Sequence, residues 1–280
     1  MKMQMNHAFC FLFPLFHNAI PFHTDSQTAT RTNIRITDGV IPQRLYNGLI
    51  NIVYTKIDMT NLNTFCLYFI MQNLLDEIKE LQESEIKKVV DNRMREFEEL
   101  GNKDNSELFK ELCFCLLTAN FSAHGGIKIQ NALGDRFSSL PQEELAKKLS
   151  ELGHRFPNMR AKFIFEARKY KDNLKETLKS FECESDLRNW IAENVKGLGM
   201  KESSHFLRNI GYKNLAIIDF HIIDLLVKNN LIQQPKSKSL TKKNYVEIEN
   251  ILKEIAKKSN TNLGELDLYL WYKETGKILK

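Results

Sequence analysis

Residues 195–203 read Val-Lys-Gly-Leu-Gly-Met-Lys-Glu-Ser, and this short segment decides the fold. Its two glycines, Gly197 and Gly199, separate a predicted helix over 186–195 from a second one over 200–210. Glycine permits a tight backbone turn, and the first N–H groups of the second helix have no acceptors within that helix. Because such a helix N-terminus attracts anions, the segment predicts a hairpin between two helices that can hold a phosphate.

Charged residues near the hairpin add to this prediction. A Gly-x-Gly segment alone is more often a plain connection between helices, so the prediction depends on the residues around it. Lys196 and Arg208 would add positive charge at the phosphate. Lys201 and, 18 positions later, Asp219 supply an amine and a carboxylate. The helix N-terminus and partial burial both disfavour the ammonium form of Lys201, which favours the nucleophilic amine. Asp219 is also placed to be the N-cap of the next helix.

From Met71 onward the pattern of apolar residues predicts an all-α architecture of about ten helices joined by short turns. No run of alternating apolar residues is long enough to indicate a sheet. The predicted helix over 108–119, with Ser106 as its N-cap, is apolar on nearly every side in its second half. Such a helix is buried all round, so we expect it to lie at the centre of the fold.

Residues 1–70 differ from the rest of the chain. They contain 5 Lys or Arg and 3 Asp or Glu, out of 40 and 35 in the whole chain. Their apolar run over residues 8–16 is too short to span a membrane. We expect either that translation starts at Met71 or that residues 1–70 form a weakly ordered extension, which leaves residues 71–280 as the functional domain.

Composition alone does not identify a partner, because a net charge of +5 is too weak to establish nucleic-acid binding. The five cysteines form no C-x-x-C pair and no metal-ligand spacing, which indicates a reducing cytoplasm. Cys113 and Cys115 lie in an apolar run, and we expect both thiols to be buried in the core as small hydrophobic groups.

Residues 195–209 (VKGLGMKESSHFLRN) and 216–221 (AIIDFH) resemble the helix-hairpin-helix region of base-excision DNA glycosylases. Within that superfamily the chain is similar to the type 2, archaeal-style 8-oxoguanine DNA glycosylase/AP lyases. The resemblance extends over roughly residues 71–280 and includes 112–126 (LCFCLLTANFSAHGG) and the end of the chain from Leu266. It implies an all-α fold of two helical subdomains with the active site in the cleft between them.

The resemblance also implies a reaction and a partner. In this family the residue matching Lys201 attacks the sugar at C1′, and the residue matching Asp219 helps to activate the amine and stabilises the oxocarbenium-like sugar. The resulting Schiff base promotes β-elimination on the 3′ side of the lesion. We expect no cofactor, no membrane and a monomer in a prokaryotic cytoplasm. The expected partner is double-stranded DNA containing 8-oxoguanine.

Further site residues follow from the same resemblance. A base that reacts outside the duplex needs a slot with aromatic walls, and Phe156 and Trp271 match the positions that sandwich it. Lys280 matches the terminal lysine whose carboxylate recognises the damaged base. Asn120 and Phe121 match a segment that fills the gap left by the flipped nucleotide. A monovalent cation could bind backbone carbonyls of the hairpin region, which are those of Glu193, Val195 and Leu198.

Other readings of the sequence stay open. Endonuclease III-like enzymes share the hairpin but usually carry four cysteines near the C-terminus, and none lies beyond Cys183 here. Adenine-specific and alkylation-specific relatives commonly lack a lysine at the position of Lys201. The remaining alternatives are a glycosylase for other oxidised bases and a non-catalytic module that only binds DNA.

Overall fold

The structure is a computed structural model that describes residues 35–36, 39–40, 59–237 and 239–280, with side chains from residue 71 onward. Backbone contacts divide the chain into two units, Met1–Phe69 and Ile70–Lys280. In the first unit, the two-residue strands β1 (Arg35–Ile36) and β2 (Gly39–Val40) form an antiparallel pair. The second unit is helical throughout its regular secondary structure, and no helix that the structure describes is both long enough and apolar enough to cross a membrane.

Thirteen α-helices lie in the described ranges, and they confirm the predicted all-α architecture. Their bounds are α1 Met59–Gln82, α2 Ile86–Gly101, α3 Asn105–Thr118, α4 Ala123–Leu133, α5 Arg136–Ser139, α6 Gln142–Glu151, α7 Pro157–Ala167, α8 Leu174–Lys179, α9 Glu184–Asn194, α10 Met200–Asn209, α11 Phe220–Lys228, α12 Lys242–Lys258 and α13 Leu263–Thr275. The sequence pattern missed α5 and α8, because helices of four and six residues are too short to show a period.

Helix α3 is the central helix, as predicted. Every residue from Leu108 to Leu117 except Lys110 is buried, including the two cysteines. Its N-cap is Asp104, whose side chain accepts a hydrogen bond from the backbone N–H of Glu107. The predicted cap at Ser106 is therefore wrong, because the helix begins one residue before that serine and Asp104 already satisfies one of the free N–H groups.

Two hydrophobic clusters organise the second unit. The larger one surrounds α3 and includes buried residues from α4 to α10. In a smaller cluster, Val90, Met94 and Phe97 of α2 pack against Leu268 and Tyr269 of α13. The second cluster fixes α13 against α2, and it thereby fixes the chain segment that the sequence analysis places in the base pocket.

A buried ion pair connects α9 to α12. Arg188 and Glu249 have side chains only 2% exposed, and both guanidinium NH₂ groups donate to the carboxylate. Glu249 also accepts a hydrogen bond of 3.0 Å from the backbone N–H of Ala216, in the segment that leads to Asp219. One carboxylate therefore joins the helix before the hairpin, the segment before α11 and helix α12.

We expect Glu249→Ala to lower the free energy of unfolding by about 3–5 kcal/mol, because it leaves the buried guanidinium of Arg188 without its partner. The matched control is Glu247→Ala on the same helix, where an exposed pair with Lys243 is lost. That change should cost less than about 1 kcal/mol. Urea unfolding measures both, and equal losses for the two variants would contradict this role of the pair.

Candidate active site

The hairpin between α9 and α10 depends on Gly197. Its φ angle of 97° lies in the left-handed region, and a Cβ there would stand 2.3 Å from the ring of Phe163. The backbone N–H of Leu198 donates to the carbonyl of Val195, at 3.1 Å, and closes the turn. A side chain at residue 197 would therefore meet both backbone strain and a steric clash, which only glycine avoids.

Gly199 has a different role, because it is the residue immediately before α10. Its backbone is extended, and a Cβ there would make only an ordinary contact, at 3.5 Å from Glu202. No side chain caps α10, so the N–H groups of its first turn point outward without a capping oxygen. Lys196 is 59% exposed and pairs with Glu166 at 3.6 Å. The hairpin thus presents free donors and a positive charge on one surface.

Lys201 lies in the first turn of α10 with its side chain 29% exposed. Its Nζ lies 3.2 Å from a carboxylate oxygen of Glu202, the next residue. The structure therefore places a carboxylate beside the predicted nucleophile.

Asp219 is the N-cap of α11, which confirms that prediction. Its Oδ1 accepts a hydrogen bond of 3.0 Å from the backbone N–H of Ile222, and its backbone is extended. Because capping uses one lone pair of one oxygen, the second oxygen of the carboxylate keeps its full capacity to accept a hydrogen bond. The cap therefore holds Asp219 in one orientation without consuming the carboxylate.

The segment before Asp219 is held by Tyr245 of α12. The Tyr245 hydroxyl donates to the carbonyl of Ala216 at 2.7 Å and accepts from the N–H of Ile218 at 3.3 Å. Burial raises the pKa of this tyrosine, so the hydroxyl keeps its proton. Residues 215–218 are all buried. A segment without regular secondary structure is thereby fixed by hydrogen bonds from a neighbouring helix.

Asp267 on α13 is a site residue that the sequence analysis missed. Its pKa is raised to about 6, first by burial, while the charge of Arg208 lowers it, the charge of Asp219 raises it and the charge of Lys201 lowers it. The charges of Lys201 and Asp219 therefore both act on one half-buried carboxyl group. The available signal was a single aspartate between leucines in a predicted helix.

Arg208 does not face a phosphate, so that expectation is wrong. The residue is 4% exposed, its Nη1 donates to Asp267 at 2.8 Å and its Nε donates to Asn209 at 2.9 Å. Its guanidinium lies over the ring of Phe97, 4.7 Å from the centroid. Sequence could not reveal this arrangement, because Asp267 is 59 residues further along the chain.

The two predicted base-contacting aromatics lie in different surroundings. Phe156 is half-buried just before α7, with the guanidinium of Arg155 5.0 Å from its ring centroid. Trp271 is half-buried on α13 and meets His221 edge to face, with centroids 5.1 Å apart. His221 follows Asp219 by two residues, so Trp271 is tied to the start of α11. A base held between Phe156 and Trp271 stays a prediction.

Asn120 and Phe121 occupy the turn between α3 and α4. Asn120 is exposed and has a positive φ of 60°, a conformation that asparagine tolerates better than most residues. Phe121 is half-buried, its ring centroid 4.3 Å from that of His154. A Cβ on Gly125 would come within 2.4 Å of the Phe121 ring. Asn120 is therefore free to reach DNA, whereas Phe121 is packed against the protein.

His154 connects this turn to Phe156, and the sequence analysis gave it no role. Its Nδ1 accepts from the backbone N–H of Phe156 at 3.0 Å, so its Nε2 carries the proton and donates to the carbonyl of Leu117 at 3.0 Å. Burial lowers the pKa of His154, which keeps the ring neutral. The histidine therefore fixes the backbone of Phe156 relative to the end of α3.

Lys280 folds back onto the helices of the larger cluster. Its Nζ lies 2.7 Å from a carboxylate oxygen of Glu111 on α3 and 4.4 Å from the ring centroid of Phe114. Its backbone forms a hydrogen bond with His205 on α10. Burial and neighbouring cations lower the pKa of this histidine well below its usual value. Lys280 thus lies beside the helix that carries Lys201.

The predicted cation site in the hairpin region stays a prediction. Glu193 lies within the last turn of α9, and the carbonyl of Val195 already accepts a hydrogen bond from the N–H of Leu198. Within the described ranges, no group of three His, Cys, Asp or Glu side chains is arranged to hold a metal ion. A site made of the backbone carbonyls of Glu193, Val195 and Leu198 would not need such a group.

The fold and the site are typical of one class of protein. An uncapped helix N-terminus after a glycine hairpin, a lysine in the first helical turn and a capping aspartate on the next helix are features of helix-hairpin-helix DNA glycosylases. The family model described as 8-oxoguanine DNA glycosylase matches residues 90–261. The chain belongs to the 8-oxoguanine DNA glycosylase family.

Relatives and solved structures agree with this family. The chain is 54% identical over 210 residues to the 8-oxoguanine DNA glycosylase/AP lyase of Korarchaeum cryptofilum. The alignment covers 75% of this chain and 99% of the relative. It is similar to the Methanocaldococcus jannaschii 8-oxoguanine glycosylase/lyase in complex with 15mer DNA containing 8-oxoguanine, with TM-score 0.72, 53% identity and coverage of 74% and 99%. The Thermotoga maritima 8-oxoguanine DNA glycosylase gives TM-score 0.71, 45% identity and coverage of 75% and 100%.

We expect Gly197→Ala to lower the free energy of unfolding by at least about 1–2 kcal/mol, the cost of a left-handed conformation for alanine. The contact with Phe163 adds to this cost. Gly199→Ala is the matched control and should cost less than about 1 kcal/mol, because its backbone is extended and its surroundings are open. Thermal unfolding compares the two, and equal stability of both variants would contradict the role assigned to Gly197.

Asp267 should make stability depend on pH. Because its pKa is raised in the folded protein, its contribution to stability is present in full below the unfolded value of 3.8 and is lost as pH rises through about 6. The free energy of unfolding should therefore fall relative to that of Asp267→Asn, by on the order of 3 kcal/mol between pH of about 4 and 7.

Urea unfolding across this pH range measures the difference between wild type and Asp267→Asn. The exposed Asp224→Asn variant controls for the loss of one carboxylate. A stability difference between wild type and Asp267→Asn that stays constant over the range would contradict the raised pKa.

Proposed function

We propose that this chain removes 8-oxoguanine from double-stranded DNA and then cleaves the strand on the 3′ side of the abasic site. One observation carries the proposal: Lys201 lies in the first turn of the uncapped helix after the hairpin, and the N-cap of the next helix fixes Asp219 with one carboxylate oxygen still available. An amine and two carboxylates near a phosphate-binding surface suit chemistry on a sugar. The relatives named as 8-oxoguanine DNA glycosylase/AP lyases support the choice of base.

Lys201 and Asp219 would act at C1′ of the damaged nucleotide. The free amine of Lys201 forms a bond to C1′ while the glycosidic bond breaks and the base leaves with that electron pair and a proton. The carboxylate of Asp219 stabilises the positive charge that develops on the sugar. The amine then loses its proton to O4′ as the C1′–O4′ bond breaks, which opens the sugar ring and forms the Schiff base at C1′. Loss of a proton from C2′ then expels the 3′ phosphate by β-elimination. Lysine is a suitable nucleophile for such a carbonyl-type intermediate.

Glu202 and Asp219 would accept the proton of Lys201. Attack requires that a proton leave the amine, and the Lys201 Nζ lies 3.2 Å from a carboxylate oxygen of Glu202. Glu202 lies close enough to accept it, and Asp219 offers a second carboxylate. Because deprotonation is needed before attack, we expect excision to increase with pH until the amine is free.

The DNA would lie against the hairpin and the turn at Asn120. The N–H groups at the start of α10 and the exposed Lys196 suit a phosphate, and Asn120 is free to enter the duplex. The base would be placed between Phe156 and Trp271, with Lys280 as the polar group that distinguishes the lesion. These assignments rest on the resemblance and on the exposure of the side chains.

Residues 71–280 would form the active domain, acting as a monomer in a reducing prokaryotic cytoplasm. The unit boundary after Phe69 supports this division, and so does the relative that aligns over 210 residues and nearly its whole length. The three cysteines whose side chains the structure describes are unpaired, which suits a reducing compartment. The same residues would need no cofactor, because the lysine is itself the nucleophile.

The runner-up is a module that binds DNA without chemistry, and Lys201→Gln separates the two. Borohydride trapping on a duplex containing 8-oxoguanine should give a covalent adduct with the wild type and none with Lys201→Gln, because the amide cannot form a Schiff base. Asp219→Asn keeps an oxygen for the N-cap but loses the charge, so excision should fall about a hundredfold or more without loss of stability.

Lys257→Gln is the matched control, since it removes an exposed lysine in the last turn of α12. It should form the adduct at the wild-type rate. Tight DNA binding by the wild type with no adduct would support the non-catalytic module instead. Preferential trapping on another oxidised base would support the alternative substrate.

We expect that residues 71–280 contain every group that contacts DNA and fold without residues 1–70. A protein that starts at Met71 should therefore keep its excision activity within about twofold of the full chain. Met71 is itself fully buried, and so is Leu74 one turn later. Single-turnover excision by the two proteins measures the difference. A truncated protein that folds, as judged by circular dichroism, but excises more than tenfold more slowly would show that residues 1–70 contribute to function.

A further inference from the structure

One buried carboxylate has no part in the chemistry proposed above. Glu111 on the central helix α3 is 1% exposed, and apolar residues precede and follow it on that helix. Burial of an ionised carboxylate costs much free energy unless it is paired and hydrogen-bonded. Its partners therefore indicate what Glu111 does.

Three side chains from different parts of the chain donate to Glu111. They are the amine of Lys280 at 2.7 Å, the amide of Gln130 at 3.1 Å and the amide of Asn209 at 2.6 Å. The Lys280 amine also donates to the side-chain amide oxygen of Gln130 and lies over the ring of Phe114. The lysine is thus held by a carboxylate, an amide and an aromatic face, and its side chain is only 21% exposed.

These contacts fix a segment that has no regular structure of its own. Helix α13 ends at Thr275, Gly276 adopts a left-handed conformation, and residues 277–280 are in neither helix nor strand. The Lys280 backbone meets His205, which lies one helical turn after Lys201. Lys280 is therefore anchored through its side chain on α3 while its backbone lies beside the helix that carries the nucleophile.

We infer that Glu111 is a positioning residue that holds Lys280 in the base pocket, so that the lysine amine serves as an anchor and does not contact DNA. The inference rests on the proposed function, which puts Lys280 at the damaged base. An amine with a buried carboxylate and an amide as partners has little capacity left for a phosphate. What remains available at residue 280 for the base is its backbone.

The experiment compares excision of 8-oxoguanine with strand cleavage at a preformed abasic site, which has no base to recognise. Glu111→Gln and Lys280→Met should each lower kcat/KM for excision about tenfold, as expected for a lost charged hydrogen bond, with abasic-site cleavage within about twofold of wild type. The double variant should be no slower than the slower single variant, because both changes break one contact.

Two controls separate positioning from a loss of folding. Glu107→Gln removes a half-buried carboxylate from the same helix, one that pairs with Lys110 and not with Lys280, and should leave both reactions unchanged. Lys280→Arg keeps a cation for Glu111 and should recover much of the excision lost in Lys280→Met. The temperature of unfolding is measured for every variant, so that Lys280→Met tests the contact even if Glu111→Gln unfolds.

Four results would overturn the inference. Equal losses of excision and abasic-site cleavage in Glu111→Gln and Lys280→Met would give the contact a structural role only. Multiplying losses in the double variant would show that the two residues act separately. A wild type that cleaves abasic sites but excises no 8-oxoguanine would remove the proposed function together with this inference, whereas active wild type with unaffected variants would remove this inference alone.

Discussion

The buried ion pair between Arg188 and Glu249 is the interaction on which the candidate site depends. Arg188 lies on the helix before the hairpin, and Glu249 also accepts from the backbone of Ala216, just before Asp219. Removing two charges from water costs more than their attraction returns unless the geometry and the other hydrogen bonds are good. Here the cost is offset by a bidentate contact and an additional backbone donor. The lysine-bearing and aspartate-bearing segments are therefore tied to one carboxylate on α12.

A second network of hydrogen bonds connects Lys280 to Asp267. Glu111 binds Lys280 and Asn209, Asn209 accepts from Arg208, and Arg208 donates to Asp267. Polar groups in a medium of low dielectric interact strongly when they are satisfied and are costly when they are not. Such a network favours one arrangement of its members over near alternatives. It links α3, α10, α13 and the segment after α13 within the candidate site.

Opposing charges meet at Lys201, and each has a use in the proposed reaction. Lys201 lies in the first turn of α10, and a carboxylate oxygen of Glu202 lies 3.2 Å from its amine. That carboxylate provides a place for the proton that must leave before the amine attacks C1′. Asp267 adds a carboxyl group whose pKa of about 6 follows from burial first and from the charges around it second.

The sequence by itself determined the all-α architecture, the hairpin, the N-cap at Asp219 and the central place of α3, because these follow from periodicity, capping and glycine conformation within a few residues. It also singled out Lys201 by its place in the first helical turn. Only the tertiary structure decided that Arg208 pairs with Asp267 and that Glu111 holds Lys280, since 59 and 169 residues separate these partners. The packing of Phe121 on His154 likewise depended on a contact that was not evident from the local pattern. The cap at Asp104 is different, because it is a local contact with the N–H of Glu107. Local rules act along the chain, but a buried charge is explained only by the partner that folding brings to it.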